Sequence, residues 1–163
     1  MWFVAFVILS LWFEPSSVQT TPAPSPSCKV EIEPGNPQLK VGEKIELRIL
    51  VRDSVDLFSA PFHLVFDPDL VAVEEVSEGD FLGGDGKRTI FLKSIQQEKG
   101  RVIVGLARLG EVGGRSGSGK LVIIKLLARK HGRSSLSFEK LDFRDFELRK
   151  IPTTAKAAII TTD

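Results

Sequence analysis

The sequence predicts an all-β sandwich. Three observations point there. Apolar and polar side chains alternate along several short runs. Those runs are punctuated by Gly, Pro, Asp and Ser turns. No stretch carries an amphipathic pattern long enough for three helical turns. Period two with turn punctuation is the signature of strands buried on one face, and many such strands close into two packed layers.

The chain has 163 residues, enough for one domain and a short extension. Met1–Phe13, MWFVAFVILSLWF, is apolar apart from Ser10. It is too short to span a bilayer as a helix and has the length of the apolar core of an export signal, although no Lys or Arg precedes it. Pro15–Ser27, PSSVQTTPAPSPS, reads as an extended solvated linker. The expected division is therefore a signal-like segment with its linker at residues 1–28 and a folded domain at 29–163. Export would place the domain in the periplasm, at the cell surface or outside the cell. Cys28, the single cysteine, is read either as a lipidation point after cleavage or as the first residue of the first strand. A membrane is expected only through an uncleaved or lipidated N-terminus.

The strands follow in order. In Lys44–Arg52, Ile45, Leu47, Ile49 and Val51 alternate with charged residues. In Phe58–Phe66, Phe58, Ala60, Phe62, Leu64 and Phe66 share one face, and Ser59, Pro61, His63 and Val65 share the other. Asp67-Pro68-Asp69 makes a turn before Leu70–Val76. Arg88–Ile95 and Arg101–Leu109 are strands, as are Lys120–Lys130, Ser134–Phe138, Asp142–Leu148 and Ala155–Thr161. The total is nine or ten.

Residues 113–121, GGRSGSGKL, mimic a phosphate-binding loop from Gly114 onward. Such a loop needs a hydroxyl after its lysine and a helix start there, so that backbone N–H groups face the phosphates. Leu121 occupies the hydroxyl position, and the following residues alternate as a strand does. The stretch reads as a mobile loop between antiparallel strands.

Charge and composition exclude other classes. From Lys29 onward 22 basic residues face 20 acidic ones, too even for a nucleic-acid binder held by phosphate neutralisation. Two histidines and one cysteine supply no metal set, and His63 and His131 stand in no catalytic motif. The acidic residues include no pair singled out for glycoside hydrolysis. No catalytic residue, cofactor or metal is expected.

The ordered motifs resemble the cohesin domain family. "VGEKIELRILV" (Val41–Val51) is similar to that family's early strand. "FHLVFDPDLVAVEEVSEGDFL" (Phe62–Leu82) resembles its strand ending in an aromatic-Asp-Pro turn and the strand and turn beyond. "GRVIVGLAR" with "SGSGKLVIIKLLAR" resembles its central strand, glycine loop and next long strand. The resemblance covers about Lys29 to Thr162. It implies a nine-stranded jelly-roll β-sandwich without catalysis, which docks a helical, calcium-loaded dockerin module of another protein on one sheet face. The calcium then belongs to the partner. The outward positions of the Phe-Asp-Pro strand, here Ser59, Pro61, His63 and Val65, are the implied partner-binding residues. The sequence departs from the polar and acidic cellulosomal pattern there, since Pro61 offers no side-chain hydrogen bond and Val65 is apolar. A surface or secretion assembly is a second setting for such a scaffold module. The alternative is a carbohydrate-binding module of polysaccharide catabolism. From Lys29 onward the chain has no Trp or Tyr, and its Phe residues fall mostly on inward positions. A polysaccharide would therefore meet a polar cleft rather than a stacking platform.

Overall fold

A computed structural model describes residues 28–163, so the export-like segment and linker lie outside the described residues, apart from Cys28 itself. The strands are β1 (Cys28–Glu33), β2 (Gln38–Leu39), β3 (Lys44–Ser59), β4 (Phe62–Val65), β5 (Val71–Glu78), β6 (Thr89–Gln96), β7 (Arg101–Arg108), β8 (Arg115–Ala128), β9 (Gly132–Leu141), β10 (Arg144–Asp145), β11 (Thr153–Lys156) and β12 (Ala158–Thr162). The only helical piece among the described residues is one 3₁₀ turn, Gln97–Lys99.

Pairing resolves these strands into two layers. One runs β5-β8-β3-β1-β11, with the last pair parallel. The other runs β6-β7-β4-β9-β12-β2, again with a parallel last pair. The chain crosses between layers at every step except β6–β7 and β10–β11, with β10 beside β3 in the first layer, which is the winding of a jelly roll. The layers meet at one corner, where Ser59 pairs with Ala107. Twelve segments appear where nine strands are implied. The two-residue pieces β2 and β10 account for two of the extra three, and a break at Ala157 divides β11 from β12 for the third.

The inner faces supply the core: Leu47, Ile49 and Val51 from β3, Val122, Ile124 and Leu126 from β8, Phe62 and Leu64 from β4, and Val102, Val104 and Leu106 from β7. On β3 and β4 these are the inward positions that alternation assigns. Phe58 is an exception: it is half-buried and packs edge-on against Phe146, 5.3 Å between ring centres, instead of joining the core. The chain leaves its strand at Ala60-Pro61, which splits the expected Phe58–Phe66 strand.

The glycine stretch is strand, not a mobile loop. β8 begins at Arg115, and Gly117 and Gly119 pair with Ser54 and Val51 of β3. The facing segment of β3 bulges, with Asp53 and Asp56 at positive φ. Their N–H groups donate to Ser118 Oγ (3.1 Å) and Ser116 Oγ (2.9 Å). A Cβ on Gly119 would lie 2.7 Å from the Phe81 ring, so this position takes no side chain without a shift. Of Asp142–Leu148, expected as one strand, only Arg144–Asp145 is strand, and a turn follows it. Asp145 accepts from Arg149 N–H through Oδ1 (2.8 Å) and from Leu148 N–H through its carbonyl (3.0 Å), and Leu148 is left-handed. Local capping by the aspartate outcompetes extension.

The loop before β6 is held from inside. Arg108, almost fully buried, donates to the Leu82 carbonyl and forks onto Asp85 at 2.7 and 3.2 Å. This guanidinium hydrogen bond holds the Asp85 carboxyl down at about 2. The folded value lies below that of an unfolded aspartate, about 3.9. The stabilisation is therefore complete above that unfolded value and is lost as pH falls toward 2. Urea unfolding should show Asp85→Asn less stable than the parent at pH 7. The gap should close as pH drops from about 5 to 2; a gap that persists at pH 2 contradicts this linkage.

β6 is an edge strand, paired only with β7. Lys93 shares the inward-facing row of β6 with Phe91, and its ammonium donates to the Val76 carbonyl of β5.

Candidate functional site

The outer faces of the two layers differ. On the β5-β8-β3-β1 side, salt bridges cover the surface: Lys44–Glu74 (2.8 Å), Arg48–Glu33 (3.7 Å), Arg52–Glu31 (2.8 Å), Lys125–Glu75 (2.7 Å) and Lys29–Asp53 (3.4 Å). The hydrogen bond from Lys125 holds Glu75 below the usual carboxylate range. Exposed pairs of this kind contribute about 0–1 kcal/mol each. They mark a face satisfied in water.

The β6-β7-β4-β9 side is built otherwise. His63 and Val65 point outward from β4, because their neighbours Phe62 and Leu64 point into the core. His63 lies across from Ile103 of β7 and Lys140 of β9. Val65 lies across from Arg101 and Ser137. Pro61 stands just ahead of β4, its carbonyl accepting from Asp142 N–H at 3.2 Å, and Ser59 pairs with Ala107 and Arg144. The structure thus sets the four residues named from sequence along one line of this face.

It adds residues that the sequence reading did not single out. On β6, Ile90 and Leu92 are 42% and 63% exposed. They pair with Ala107 and Gly105, and Ser94 pairs with Ile103. Gly105 has no side chain, which leaves a flat floor beside Leu92. Ile90, Leu92, Ala107 and Ile103 make a contiguous apolar half. The signal was present in RVIVGLAR: β7 is apolar on both faces, although only Val102, Val104 and Leu106 enter the core. A strand apolar on both faces is either covered by its own protein or offered to another.

The other half of the face is polar. Glu139 bonds Arg101 at 2.8 Å and lies 3.8 Å from His63 Nδ1. Asp142 bonds Arg144 at 3.0 Å. No group of three metal-ligating side chains occurs among the described residues. His131 sits exposed in the turn before β9.

Cys28 is not placed for chemistry. It begins β1, its N–H donates to the Pro152 carbonyl (2.9 Å), and the residue is 1% exposed. Burial, helped by the nearby Asp53 charge, pushes the thiol up to about 11. The thiolate is the reactive form, so native protein should react with a disulfide reagent at least about 100-fold more slowly than urea-unfolded protein. Rapid native labelling would place the thiol at the surface.

Fold and faces together define a β-sandwich module with one charge-compensated surface and one apolar, partly cationic surface. The family model described as Cohesin domain matches residues 30–158, and the chain belongs to that family. A search of curated proteins returns no match. Among solved structures, the chain is similar to a non-cellulosomal cohesin from the hyperthermophilic archaeon Archaeoglobus fulgidus, at 15% identity and TM-score 0.71, over 84% of this chain and 91% of that one. It is similar to a chain of the Coh-OlpC–Doc435 complex, a type I cohesin–dockerin complex from Clostridium thermocellum, at 16% identity and TM-score 0.68, over 84% and 92%. It is also similar to a type II cohesin domain from the cellulosome of Acetivibrio cellulolyticus, at 17% identity and TM-score 0.67, over 84% and 95%.

Proposed function

We propose that this chain is a docking module whose β6-β7-β4-β9 face receives a protein partner of dockerin type. The observation that carries the reading is the apolar set of exposed Ile90 and Leu92 with half-buried Ile103 on one sheet face, beside a second face whose charges are paired. Membership of the cohesin family supports it, as do relatives solved in cohesin–dockerin complexes. Ser59, Pro61, His63 and Val65 form the middle of the proposed contact surface. A standard interface needs about 800 Å² from each partner, which a four-stranded face supplies. The reading assigns no reaction to the chain. The apolar Met1–Phe13 segment supports an exported scaffold component, and a role beside polysaccharide-degrading proteins belongs to the same proposal.

Isothermal titration against a panel of calcium-loaded type I and type II dockerin modules tests it. The expected result is one-to-one binding by at least one module, abolished by Ile103→Asp. Retention on insoluble glucan with no binding across the panel would replace docking with the carbohydrate reading.

A further inference from the structure

Among the described residues β5 pairs with β8 and with no other strand. An edge of this kind presents outward peptide groups that a foreign strand can pair with. On β5 those groups are met by side chains instead. Gln97, half-buried in the 3₁₀ turn after β6, accepts from Val73 N–H through Oε1 at 3.0 Å. Its Nε2 donates to the Val71 carbonyl at 2.9 Å and to the Pro68 carbonyl at 3.3 Å. Further along, the Lys93 ammonium donates to the Val76 carbonyl, and the Thr89 hydroxyl donates to Glu78 Oε1 at 2.6 Å. Thr89, Lys93 and Gln97 follow one another at intervals of four residues, and all three reach β5.

We propose that Gln97 closes the β5 edge by standing in for a strand, and that without it a strand from a second copy of this chain pairs there. A parallel neighbour of Ala72 would donate to the Val71 carbonyl and accept from Val73 N–H. The Gln97 amide makes both bonds. An amide is suited to this, because it is planar and carries an acceptor and two donors, as a carboxylate does not. The strand register creates the site. The Leu70 carbonyl accepts from Arg129 N–H, just past β8, so Leu70 and Ala72 turn toward β8 while Val71 and Val73 turn away. A register shift between Val73 and Glu75 then brings the Val76 carbonyl to the outer side, where Lys93 meets it. The acidic residues of β5 do not guard the edge, since Glu74 bonds Lys44, Glu75 bonds Lys125 and Glu78 bonds Thr89. Every copy carries the same eight-residue strand, so a second copy is the partner an open β5 meets first. Closure of this edge does not depend on which face a dockerin-type partner takes.

The test combines amide hydrogen exchange read by NMR with light scattering, on the parent, Gln97→Ala and Gln97→Glu. Circular dichroism confirms each variant's fold. In the parent, Val73 N–H should exchange within about tenfold of Ala72 N–H, although only Ala72 faces a neighbouring strand. In dilute Gln97→Ala, Val73 N–H should exchange at least about tenfold faster than in the parent, with Ala72 N–H close to its parent rate. A general loss of stability would speed both. At equal, higher concentration Gln97→Ala should have a larger mass than the parent. Gln97→Glu should keep the parent's mass, because a carboxylate at the edge repels an incoming strand. A Gln97→Ala chain that keeps the parent's mass would overturn the closure. Equal association of Gln97→Ala and Gln97→Glu would place the contact elsewhere and overturn it too. A parent Val73 N–H that exchanges as fast as an unbonded amide would overturn it without any variant.

Discussion

Leu92→Asp should weaken partner binding by about 30-fold or more, while thermal unfolding and the circular dichroism spectrum stay close to those of the parent. Leu92 is the most exposed large apolar residue among those described, and it stands over the bare backbone of Gly105. Apolar anchors near the centre of a contact typically carry 2 kcal/mol or more, and about 2 kcal/mol is 30-fold in affinity. An aspartate there strips the anchor and buries a charge under the partner. Titration of any dockerin module bound by the parent measures the loss. An affinity within threefold of the parent, with the fold intact, would show that the partner sits elsewhere. The exposure of Leu92 leaves its replacement with little effect on the free chain.

Phe62→Ala should have the opposite character. Phe62 is fully buried on the inner side of β4, edge-on to Phe138 with ring centres 5.6 Å apart. Removing a buried phenylalanine costs about 3–5 kcal/mol, through lost transfer energy and the cavity left behind. That is a large share of the 5–15 kcal/mol by which domains are stable. Urea unfolding should show the drop as a lower midpoint with an unchanged slope. The damage should also reach function, because His63 and Val65 owe their outward aim to Phe62 and Leu64 pointing in. A loss below about 1 kcal/mol would mean that the site collapses readily and that β4 is not held by its core side.

The outcomes of the sequence reading divide along a physical line. Where one side of a strand is apolar and the other charged, the alternation is decisive: Ile45, Leu47, Ile49 and Val51 all face inward or lean on the core as expected. The burial of Ala60, Phe62, Leu64 and Phe66 was legible for the same reason. Local chemistry that competes with extension was harder to see. Nothing in DFELRK announces that pairing will stop at Asp145, whose side chain caps the turn that follows. The glycine stretch failed in the other direction, because Gly117 and Gly119 are kept in strand by partners far away in sequence, the bulged Asp53–Asp56 segment and Phe81. The outward aim of His63 and Val65 was legible because Phe62 and Leu64 give their strand one clean inner face. The outward placement of Ile90, Leu92 and Ile103 was not legible, because β6 and β7 carry apolar residues on both sides and periodicity does not say which side meets water. Only cross-strand register joins Leu92 to Gly105 and Ile90 to Ala107.

The inward lysine of β6 bears on how such modules coexist. A sheet rim eight residues long that also displays isoleucine and leucine is an invitation to templated stacking between neighbours. Lys93, exposed at the rim and tied to the Val76 carbonyl of the facing layer, makes any incoming chain pass an ammonium group. That charge at the rim opposes edge-to-edge pairing of one chain with another.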